Sequence, residues 1–272
     1  MSEATREVAT GTDQLTCRVE ERVALITLNR PDARNALTMD LKVALLRVVE
    51  EMGAASDVGC LLLTGAGRAF CSGGDTKVMA EGGRPPSMED RQRQLRWEHR
   101  LPLALHRLPK PTLAALPGAA AGAGYSIALA CDLRIAAESA FMLTSFAKLG
   151  LSGDYGGSWF TTQLVGTAKA REIYFGGERM TAAQCLALGL VNRVVADDEL
   201  ASAALEWARQ LAAGPPVAYR YMKENLNRAV AGDMEECLDI EATHHVHTSL
   251  TEDHRNAVKA FVEKREPSFE GR

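Results

Sequence analysis

Aromatic residues are scarce in this 272-residue sequence, and an excess of positive charge is absent. Phe, Trp and Tyr make up only 6% of it, and 31 Lys and Arg against 35 Asp and Glu give a formal net charge of −4. Binding to a nucleic-acid backbone requires a basic excess, so nucleic acid is not an expected partner. Since 46% of the residues are hydrophobic, disordered and fibrous classes are excluded too. The core is predicted to consist mainly of Ala, Leu and Val, with many of the close backbone approaches that glycine allows.

The cysteines do not form a recognisable metal or disulfide pattern. There is no Cys-x-x-Cys pair and no histidine at ligand spacing from a cysteine, so zinc and a secreted disulfide framework are both poorly supported. Residues 1–14 contain no apolar segment typical of a secretion signal, and we predict a disordered polar tail there. We therefore expect a cytoplasmic protein without a metal site.

An uncharged stretch from Pro111 to Cys131 is too poor in large side chains to be predicted as a membrane span. It holds only four large aliphatic residues, the rest being mostly Ala and Gly, and Pro117 interrupts it. Insertion into a bilayer would therefore gain little. We predict a buried strand, a glycine-rich turn and a buried helix over this stretch.

Hydrophobic periodicity predicts alternating strands and helices. From Thr38, a favourable N-cap, apolar residues recur at helical spacing as far as Gly53. Beyond Gly156 the pattern is almost wholly helical, with helices that begin near Thr181, Pro215 and Thr251. Short β-prone or uninterrupted apolar runs predict strands over residues 16–20, 23–28, 60–64, 112–116, 133–136 and 141–143.

This order of elements predicts one α/β domain with a C-terminal helical extension. We assign residues 15–200 to the core and residues 201–272 to the helical region, and we find no repeat of fixed period. Residues 82–94 are polar and begin with paired Gly and Pro, which predicts a surface loop leading into a helix that ends near His106. That loop is the best candidate for a mobile lid.

Two glycine-rich turns each follow a predicted strand, at residues 70–75 and 118–124. A strand that enters a helix through glycines leaves backbone N–H groups unpaired at the positive end of the helix dipole, which favours an anion. Neither turn matches a nucleotide-binding fingerprint. The alternative is that these glycines only allow tight packing, and spacing alone favours that alternative.

The same turns carry a resemblance to a known family. The segment FCSGGDTK, residues 70–77, looks like the F-C-A-G-A-D-x-K loop of the crotonase (enoyl-CoA hydratase/isomerase) superfamily. NRPDARNAL, residues 29–37, is similar to the family's N-R-P-x-x-x-N-A-L segment, and residues 117–132 are similar to its glycine turn and C-D helix. Residues 180–195 resemble its A-x-x-A-x-x-x-G-L-V-N-x-V helix. These four ordered motifs extend the resemblance over roughly residues 16–266.

The resemblance implies a spiral of ββα units, with a C-terminal helical region that builds trimers or hexamers, and an acyl-CoA thioester as substrate. Coenzyme A is then part of the substrate, and no further cofactor is expected. In this family two backbone N–H groups bind the thioester oxygen and stabilise an enolate. By position these donors are the N–H groups of Gly74 and Ala123. Ala123 replaces the usual glycine, a small change for a backbone donor unless its φ must be positive.

The acid and base positions depart more from the family pattern. Hydratases of the family hold a water between two glutamates, and the corresponding positions here are Ser126 and Phe146, so simple hydration is doubtful. Asp154 instead falls where the family's enoyl-CoA and dienoyl-CoA isomerases carry a Glu or Asp. Burial beside Phe146 and Tyr155 would raise the pKa of Asp154. The alternative is that Asp154 caps the helix that begins near Gly156.

The resemblance also implies which residues contact the substrate. The backbone around Ala36 and Leu37 and the loop from residue 72 to 75 would hold adenine, Arg34 a phosphate, and Phe261 with Lys264 of a neighbouring subunit the nucleotide. Tyr155 would donate a hydrogen bond to substrate or simply pack, and residues 78–106 would form the acyl pocket wall. The complete set expected at the substrate is Arg34, Ala36, Leu37, Ser72, Gly73, Asp75, Lys77, Ser126, Phe146, Tyr155, Phe261 and Lys264.

These features favour an enoyl-CoA isomerase in which Asp154 shuttles one proton. A second hypothesis keeps the scaffold and changes the reaction to hydration, ring chemistry or thioester hydrolysis. A third is a catalytically silent acyl-CoA binding protein, because neither hydratase glutamate is present at Ser126 and Phe146.

Overall fold

The computed structural model describes residues 5–75 and 87–272, in which strands and helices alternate before a helical C-terminal part. The strands are β1 (Arg6–Glu7), β2 (Leu15–Glu20), β3 (Val23–Leu28), β4 (Cys60–Gly65), β5 (Ala69–Cys71), β6 (Thr112–Leu116), β7 (Ala119–Ala121), β8 (Leu133–Ala137), β9 (Phe141–Leu143), β10 (Met180–Thr181) and β11 (Arg193–Val195). The helices are α1 (Met39–Ala54), α2 (Met88–Glu98), α3 (Arg100–Arg107), α4 (Ala123–Ala130), α5 (Gly157–Gly176), α6 (Ala182–Ala187), α7 (Leu200–Ala212), α8 (Pro216–Ala229), α9 (Met234–Ser249) and α10 (Glu252–Glu263). Short 3-10 turns cover Pro31–Ala33 and Ala147–Leu149.

A seven-stranded sheet forms the centre of the core. Its order is β1-β2-β3-β4-β6-β8-β11, antiparallel from β1 to β3 and parallel beyond. β4 begins with one cysteine, three leucines and one threonine. The cysteine and the leucines are buried, as expected for a central parallel strand. The six strands that the sequence predicts are confirmed.

A second sheet of four short strands lies beside the first, in the order β10-β9-β7-β5. Three successive strands of the large sheet are each followed by one strand of the small sheet, and after β7 and β9 the chain enters α4 and α5. This succession confirms the predicted α/β class and its ββα units. β5 and β7 were not predicted, because each is three residues long and lies inside or beside a glycine-rich turn. β10 and β11 correct the expectation of an almost wholly helical pattern beyond Gly156: both are two or three residues long and are strands only because they pair with β9 and β8.

The sequence signals for helix starts are confirmed. The Thr38 hydroxyl accepts the Leu41 N–H at 3.2 Å and caps α1. Thr181 and Gln184 form a capping box at α6, and Thr251 caps α10 by accepting the His254 N–H. Of the predicted loop and lid at residues 82–94, residues 82–86 lie outside the described part, and α2 begins directly after Ser87.

The N-terminal segment differs from the disordered tail expected over residues 1–14. β1 pairs with β2, and the Val8 N–H donates to the Cys17 carbonyl at 2.9 Å. Thr10 is buried, and its hydroxyl donates to the Leu15 carbonyl at 2.7 Å. These hydrogen bonds order a polar segment whose composition alone suggests fraying.

Two C-terminal helices, α8 and α9, contain no buried residue. Large apolar side chains on them and on α10 are exposed, among them Leu226, Met234 and Phe261. No helix in the described part of the chain combines the length and the apolar character needed to cross a membrane.

The two glycine-rich turns are in direct backbone contact. A Cβ built on Gly124 would overlap the carbonyl oxygen of Cys71. A Cβ on Gly73 would lie 2.8 Å from the Ala121 carbonyl oxygen, and φ of Gly73 is +90°. Only residues without a side chain allow the ends of β5 and β7 to approach this closely.

We predict that Gly124→Ala destabilises the protein by about 1–3 kcal/mol, because the added methyl must push the two turns apart. Gly176→Ala is a matched control in a helix: the nearest atom to its added Cβ lies 3.8 Å away. Urea unfolding should show the loss for the first variant and little change or a small gain for the control. Equal stability of the two variants would contradict the close approach.

Candidate active site

The contact between the glycine-rich turns places two backbone donors side by side. Gly74 follows Gly73, and Ala123 begins α4; a Cβ on Gly73 would lie 3.2 Å from the Ala123 nitrogen. Within residues 5–75 and 87–272, neither the Gly74 N–H nor the Ala123 N–H donates to a protein acceptor. The Ala123 N–H also belongs to the first turn of α4, where the helix dipole is positive. Together these two donors can receive one developing oxyanion.

Asn35 organises the loop that supports Gly73 and Gly74. It is completely buried and has a positive φ of +56°. Its side-chain oxygen accepts the Arg30 N–H at 2.8 Å, and its amide nitrogen donates to the carbonyls of Ala66 and Ala69 at 3.0 and 2.7 Å. Sequence analysis quoted Asn35 within a motif but missed this role, which depends on its burial.

Asp154 lies in the loop before α5. The start of α5, three residues after Asp154, approaches α4, because a Cβ on Gly157 would overlap the hydroxyl oxygen of Ser126. Ala123 and Ser126 are three residues apart on α4 and therefore share a face. The chain that follows Asp154 thus meets α4 on the face that begins at Ala123.

The carboxyl group of Asp154 is not a helix cap. α5 begins after Gly156 and has no side-chain cap, which is evidence against the alternative that Asp154 is the N-cap. Oδ1 of Asp154 is buried without a hydrogen-bond partner in the described structure. Burial, together with the nearby Glu98 carboxylate, raises the pKa of Asp154 to about 6, against the lowering effect of Lys42 and Arg91. A carboxyl group of this kind can both accept and return a proton near neutral pH.

Neither position that carries a glutamate in hydratases can activate water here. Ser126 is completely buried, and its hydroxyl donates to the Gly122 carbonyl at 3.4 Å. Phe146 is buried and stacks on the ring of Tyr174, with 5.9 Å between ring centroids. The two side chains line this region without supplying a base.

Tyr174 is a site residue that sequence analysis missed. Its hydroxyl is buried and has no hydrogen-bond partner among residues 5–75 and 87–272. It would lie 2.7 Å from a Cβ on Gly157 and 3.7 Å from one on Gly153. Burial raises the pKa of Tyr174, and the Asp154 carboxylate adds to that shift. A tyrosine inside a helix gives no sequence signal that its hydroxyl faces this loop.

Glu98 is a second residue that sequence analysis missed. Its side chain is 2% exposed, forms an ion pair with Lys42 at 2.9 Å and accepts the Tyr155 hydroxyl at 3.0 Å. The hydroxyl of Tyr155, one of the groups expected to donate to substrate, is therefore already bonded to Glu98. The Lys42 and Tyr155 donors keep the pKa of Glu98 below its ordinary value despite burial.

The structure brings together two of the segments expected at coenzyme A. The Ser72 N–H donates to the Arg34 carbonyl at 3.0 Å, and the Leu37 N–H donates to the Gly73 carbonyl at 2.8 Å. Ala36 is buried beside Leu37, whereas the Arg34 side chain is exposed.

The other residues expected at coenzyme A are Asp75, Lys77, Phe261 and Lys264. Asp75 forms an ion pair with Arg30 at 3.5 Å. Lys77 lies outside the described residues. Phe261, on α10, is 85% exposed, and Lys264 caps that helix, so their place at a neighbouring subunit stays a prediction.

Cys71 is completely buried, which raises the pKa of its thiol to about 12 and makes it an inert side chain.

The chain is similar to proteins of known family over almost its whole length. The family model described as enoyl-CoA hydratase/isomerase matches residues 18–272. The 1,2-epoxyphenylacetyl-CoA isomerase of Escherichia coli K12 is 35% identical over 93% of this chain and 97% of that protein. The short-chain-enoyl-CoA hydratase of Clostridium acetobutylicum is 35% identical over 90% of this chain and 93% of its own length.

Solved structures agree with this similarity. An enoyl-CoA hydratase from Polaromonas sp. JS666 superposes with a TM-score of 0.89 at 33% identity, over 94% of this chain and 99% of that one. An enoyl-CoA hydratase from Bacillus anthracis has the same TM-score at 30% identity, over 95% of this chain and 100% of that one. The names of these relatives include both isomerases and hydratases.

We predict that Asp154→Asn stabilises the protein at pH 8 by about 1–3 kcal/mol, because a half-buried carboxylate is then replaced by a neutral amide. The pKa of Asp154 is raised in the folded state, so the wild type takes up a proton on folding as the pH falls through 6. The wild type therefore gains stability as the pH falls from 8 to 5. The difference in free energy of unfolding between Asp154→Asn and the wild type should be smaller at pH 5 than at pH 8 by about 1 kcal/mol.

Thermal or urea unfolding at the two pH values measures this difference. Asp198→Asn, at an exposed aspartate, is the control and should show no such pH dependence. An Asp154→Asn effect that is equal at both pH values would contradict the raised pKa.

Proposed function

Because the chain belongs to the enoyl-CoA hydratase/isomerase family, we propose that it is an enoyl-CoA isomerase in which Asp154 moves a proton between two carbons of the acyl group. The observation that carries this proposal is the carboxyl group of Asp154, with a buried unpartnered oxygen and a pKa raised to about 6. No carboxylate stands at Ser126 or Phe146, the positions that hydration would need.

In the proposed reaction, the thioester oxygen of a 3-enoyl-CoA accepts hydrogen bonds from the Gly74 and Ala123 N–H groups. The Asp154 carboxylate removes a proton from C2, the electrons of that C–H bond form a C1–C2 double bond, and the carbonyl π electrons move to the thioester oxygen. The product is a dienolate that keeps its C3–C4 double bond; when C4 takes up a proton, the carbonyl re-forms and the double bond moves to C2–C3. The negative charge of the dienolate rests on the thioester oxygen, where the Gly74 and Ala123 N–H groups stabilise it. Loss of one backbone donor of this kind typically lowers the rate on the order of a hundredfold. Asp154 then returns the proton to C4, which yields the conjugated 2-enoyl-CoA.

The pKa of Asp154 suits both halves of this reaction. A base of ordinary aspartate pKa would accept a proton from carbon poorly, and one of much higher pKa would return it slowly. Burial, the main cause of the raised pKa, also excludes water from the enolate.

Hydration is the second candidate, since several relatives are named hydratases. It would require a second group to hold water beside Asp154. Both Glu98 oxygens already accept hydrogen bonds, Oε1 from Gln94 at 2.8 Å and Oε2 from Tyr155 at 3.0 Å. This occupancy supports isomerisation over hydration.

We further propose that the enzyme works as a homotrimer or a hexamer in the cytoplasm, with no cofactor beyond the coenzyme A of its substrate. The absence of buried residues from α8 and α9 supports the assembly, because exposed apolar side chains on these helices gain from contact with a second subunit. In such an assembly Phe261 and Lys264 would lie at a neighbouring nucleotide.

We predict that the purified protein converts a 3-enoyl-CoA to the 2-enoyl-CoA, and that Asp154→Asn lowers kcat by about a hundredfold or more because the proton acceptor is lost. Absorbance of the conjugated thioester follows the reaction, and calorimetry checks that the variant still binds the ester. Asp198→Asn serves as the control of equal chemistry at an exposed site.

Full activity in Asp154→Asn would overturn the role of Asp154. Water addition to a 2-enoyl-CoA as fast as isomerisation would favour the hydratase, and tight binding of acyl-CoA esters without any turnover would indicate a silent binding protein.

We predict that kcat/KM for isomerisation falls about tenfold per pH unit below pH 6, because the base must be ionised in the free enzyme. The pH below which kcat/KM falls, about 6, follows from the raised pKa of Asp154. Asp154→Glu should keep an acidic limb at a shifted pH, whereas the residual activity of Asp154→Asn should lack it. A pH profile that is flat down to pH 5 in the wild type would contradict the assignment.

A further inference from the structure

We propose that Glu98 and His99, at the junction of α2 and α3, position Asp154 by holding its neighbour Tyr155 at both ends. This inference rests on the proposed role of Asp154. It concerns how a side chain that makes few bonds of its own obtains a fixed orientation.

The loop that carries Asp154 is conformationally strained. Tyr155 has a φ of +51°, in the left-handed region that tyrosine rarely adopts, and it lies between Gly153 at +109° and Gly156 at +74°. Such a backbone persists only where surrounding contacts hold it. Oδ1 of Asp154 has no partner in the part of the chain that the structure describes, so no hydrogen bond of that oxygen to those residues holds the loop in place.

His99 fixes the peptide group between Asp154 and Tyr155. The Tyr155 N–H donates to Nε2 of His99 at 3.1 Å, and the two rings meet edge to face with centroids 5.6 Å apart. Because a peptide group is planar, this hydrogen bond fixes the plane that contains the Asp154 carbonyl. Burial lowers the pKa of His99, which keeps Nε2 free to accept.

Glu98 holds the other end of Tyr155. Its Oε2 accepts the Tyr155 hydroxyl at 3.0 Å and lies 2.9 Å from Nζ of Lys42, while Oε1 accepts the Gln94 side chain at 2.8 Å. Glu98 thereby joins α1, α2 and the Asp154 loop. Since both of its oxygens are engaged by protein donors, Glu98 acts through Tyr155 and not on the substrate.

The N–H and the hydroxyl of Tyr155 are both bonded, whereas Oδ1 of Asp154 accepts no hydrogen bond from the described residues. At the end of the loop the Asp154 carbonyl accepts the Gly157 N–H at 3.1 Å, and the bonds of Tyr155 to His99 and Glu98 add restraint from outside the loop. This contrast favours positioning over simple packing. The nearby Glu98 charge also raises the pKa of Asp154, which supports the same arrangement.

The test removes the two restraints separately in the full-length protein. His99→Phe keeps a ring and loses the acceptor, and Tyr155→Phe loses only the bond to Glu98. His247→Phe is the matched control: its Nδ1 is bonded to the Tyr221 hydroxyl at 3.2 Å and the two ring centroids lie 5.9 Å apart, on helices α8 and α9 and outside the Asp154 loop. Each variant is checked by thermal unfolding before it is assayed.

Two readouts separate this inference from the proposed function. Isomerase kinetics should show kcat reduced roughly ten- to a hundredfold in His99→Phe, with KM changed by no more than about threefold. Carbon-13 NMR of labelled aspartate, with Asp154→Asn to assign the signal, should show the pKa of Asp154 falling towards its ordinary value in both variants. His247→Phe should change neither quantity.

An Asp154 pKa and kcat that stay at their wild-type values in folded His99→Phe and Tyr155→Phe would overturn the inference. His99→Gln, whose amide oxygen can accept the Tyr155 N–H, should recover at least part of both losses. The NMR titration needs no turnover, so a wild type that fails to isomerise would refute the proposed function while the pKa comparison still decides whether Asp154 is positioned.

Discussion

The site depends on a backbone contact between two turns that have no side chains at the point of contact. Gly73, after β5, lies against the Ala121 carbonyl at the end of β7. Gly124, in the first turn of α4, lies against the Cys71 carbonyl at the end of β5. This approach places the Gly74 and Ala123 N–H groups together, and it leaves no room for a methyl group on either glycine. The helix that begins at Ala123 then packs against the start of α5 through Ser126 and Gly157, three residues after Asp154.

The pKa values of the two acidic residues in this region, Glu98 and Asp154, are shifted in opposite directions. Glu98 is almost inaccessible but has Lys42, Tyr155 and Gln94 as donors, and its pKa is lowered. Asp154 is less buried but has an oxygen without a donor, and its pKa is raised. The number of donors, more than the depth of burial, therefore decides which carboxyl group carries a permanent charge and which one can exchange a proton.

Most of the fold and part of the site could be predicted from sequence, for different reasons. β2, β3, β4, β6 and β8 of the large sheet and the capped helices have strong local signals, whereas β5, β7, β11 and the ordered N-terminal segment depend on partners distant in sequence. The positions of Gly74, Ala123 and Asp154 came from motifs. Asn35, Glu98 and Tyr174 were missed because their importance depends on burial and on unpaired or fully paired atoms, which the local sequence does not encode.

The position of β11 has a consequence for synthesis of the chain. β11 forms the last parallel pair of the large sheet, beside β8, and comes some 55 residues later in sequence. Until residues 193–195 have left the ribosome, β8 presents an open row of backbone donors and acceptors to any other strand. A nascent chain of this protein thus completes its reactive centre before it closes its sheet, and during that interval it depends on dilution or on chaperones to remain unaggregated.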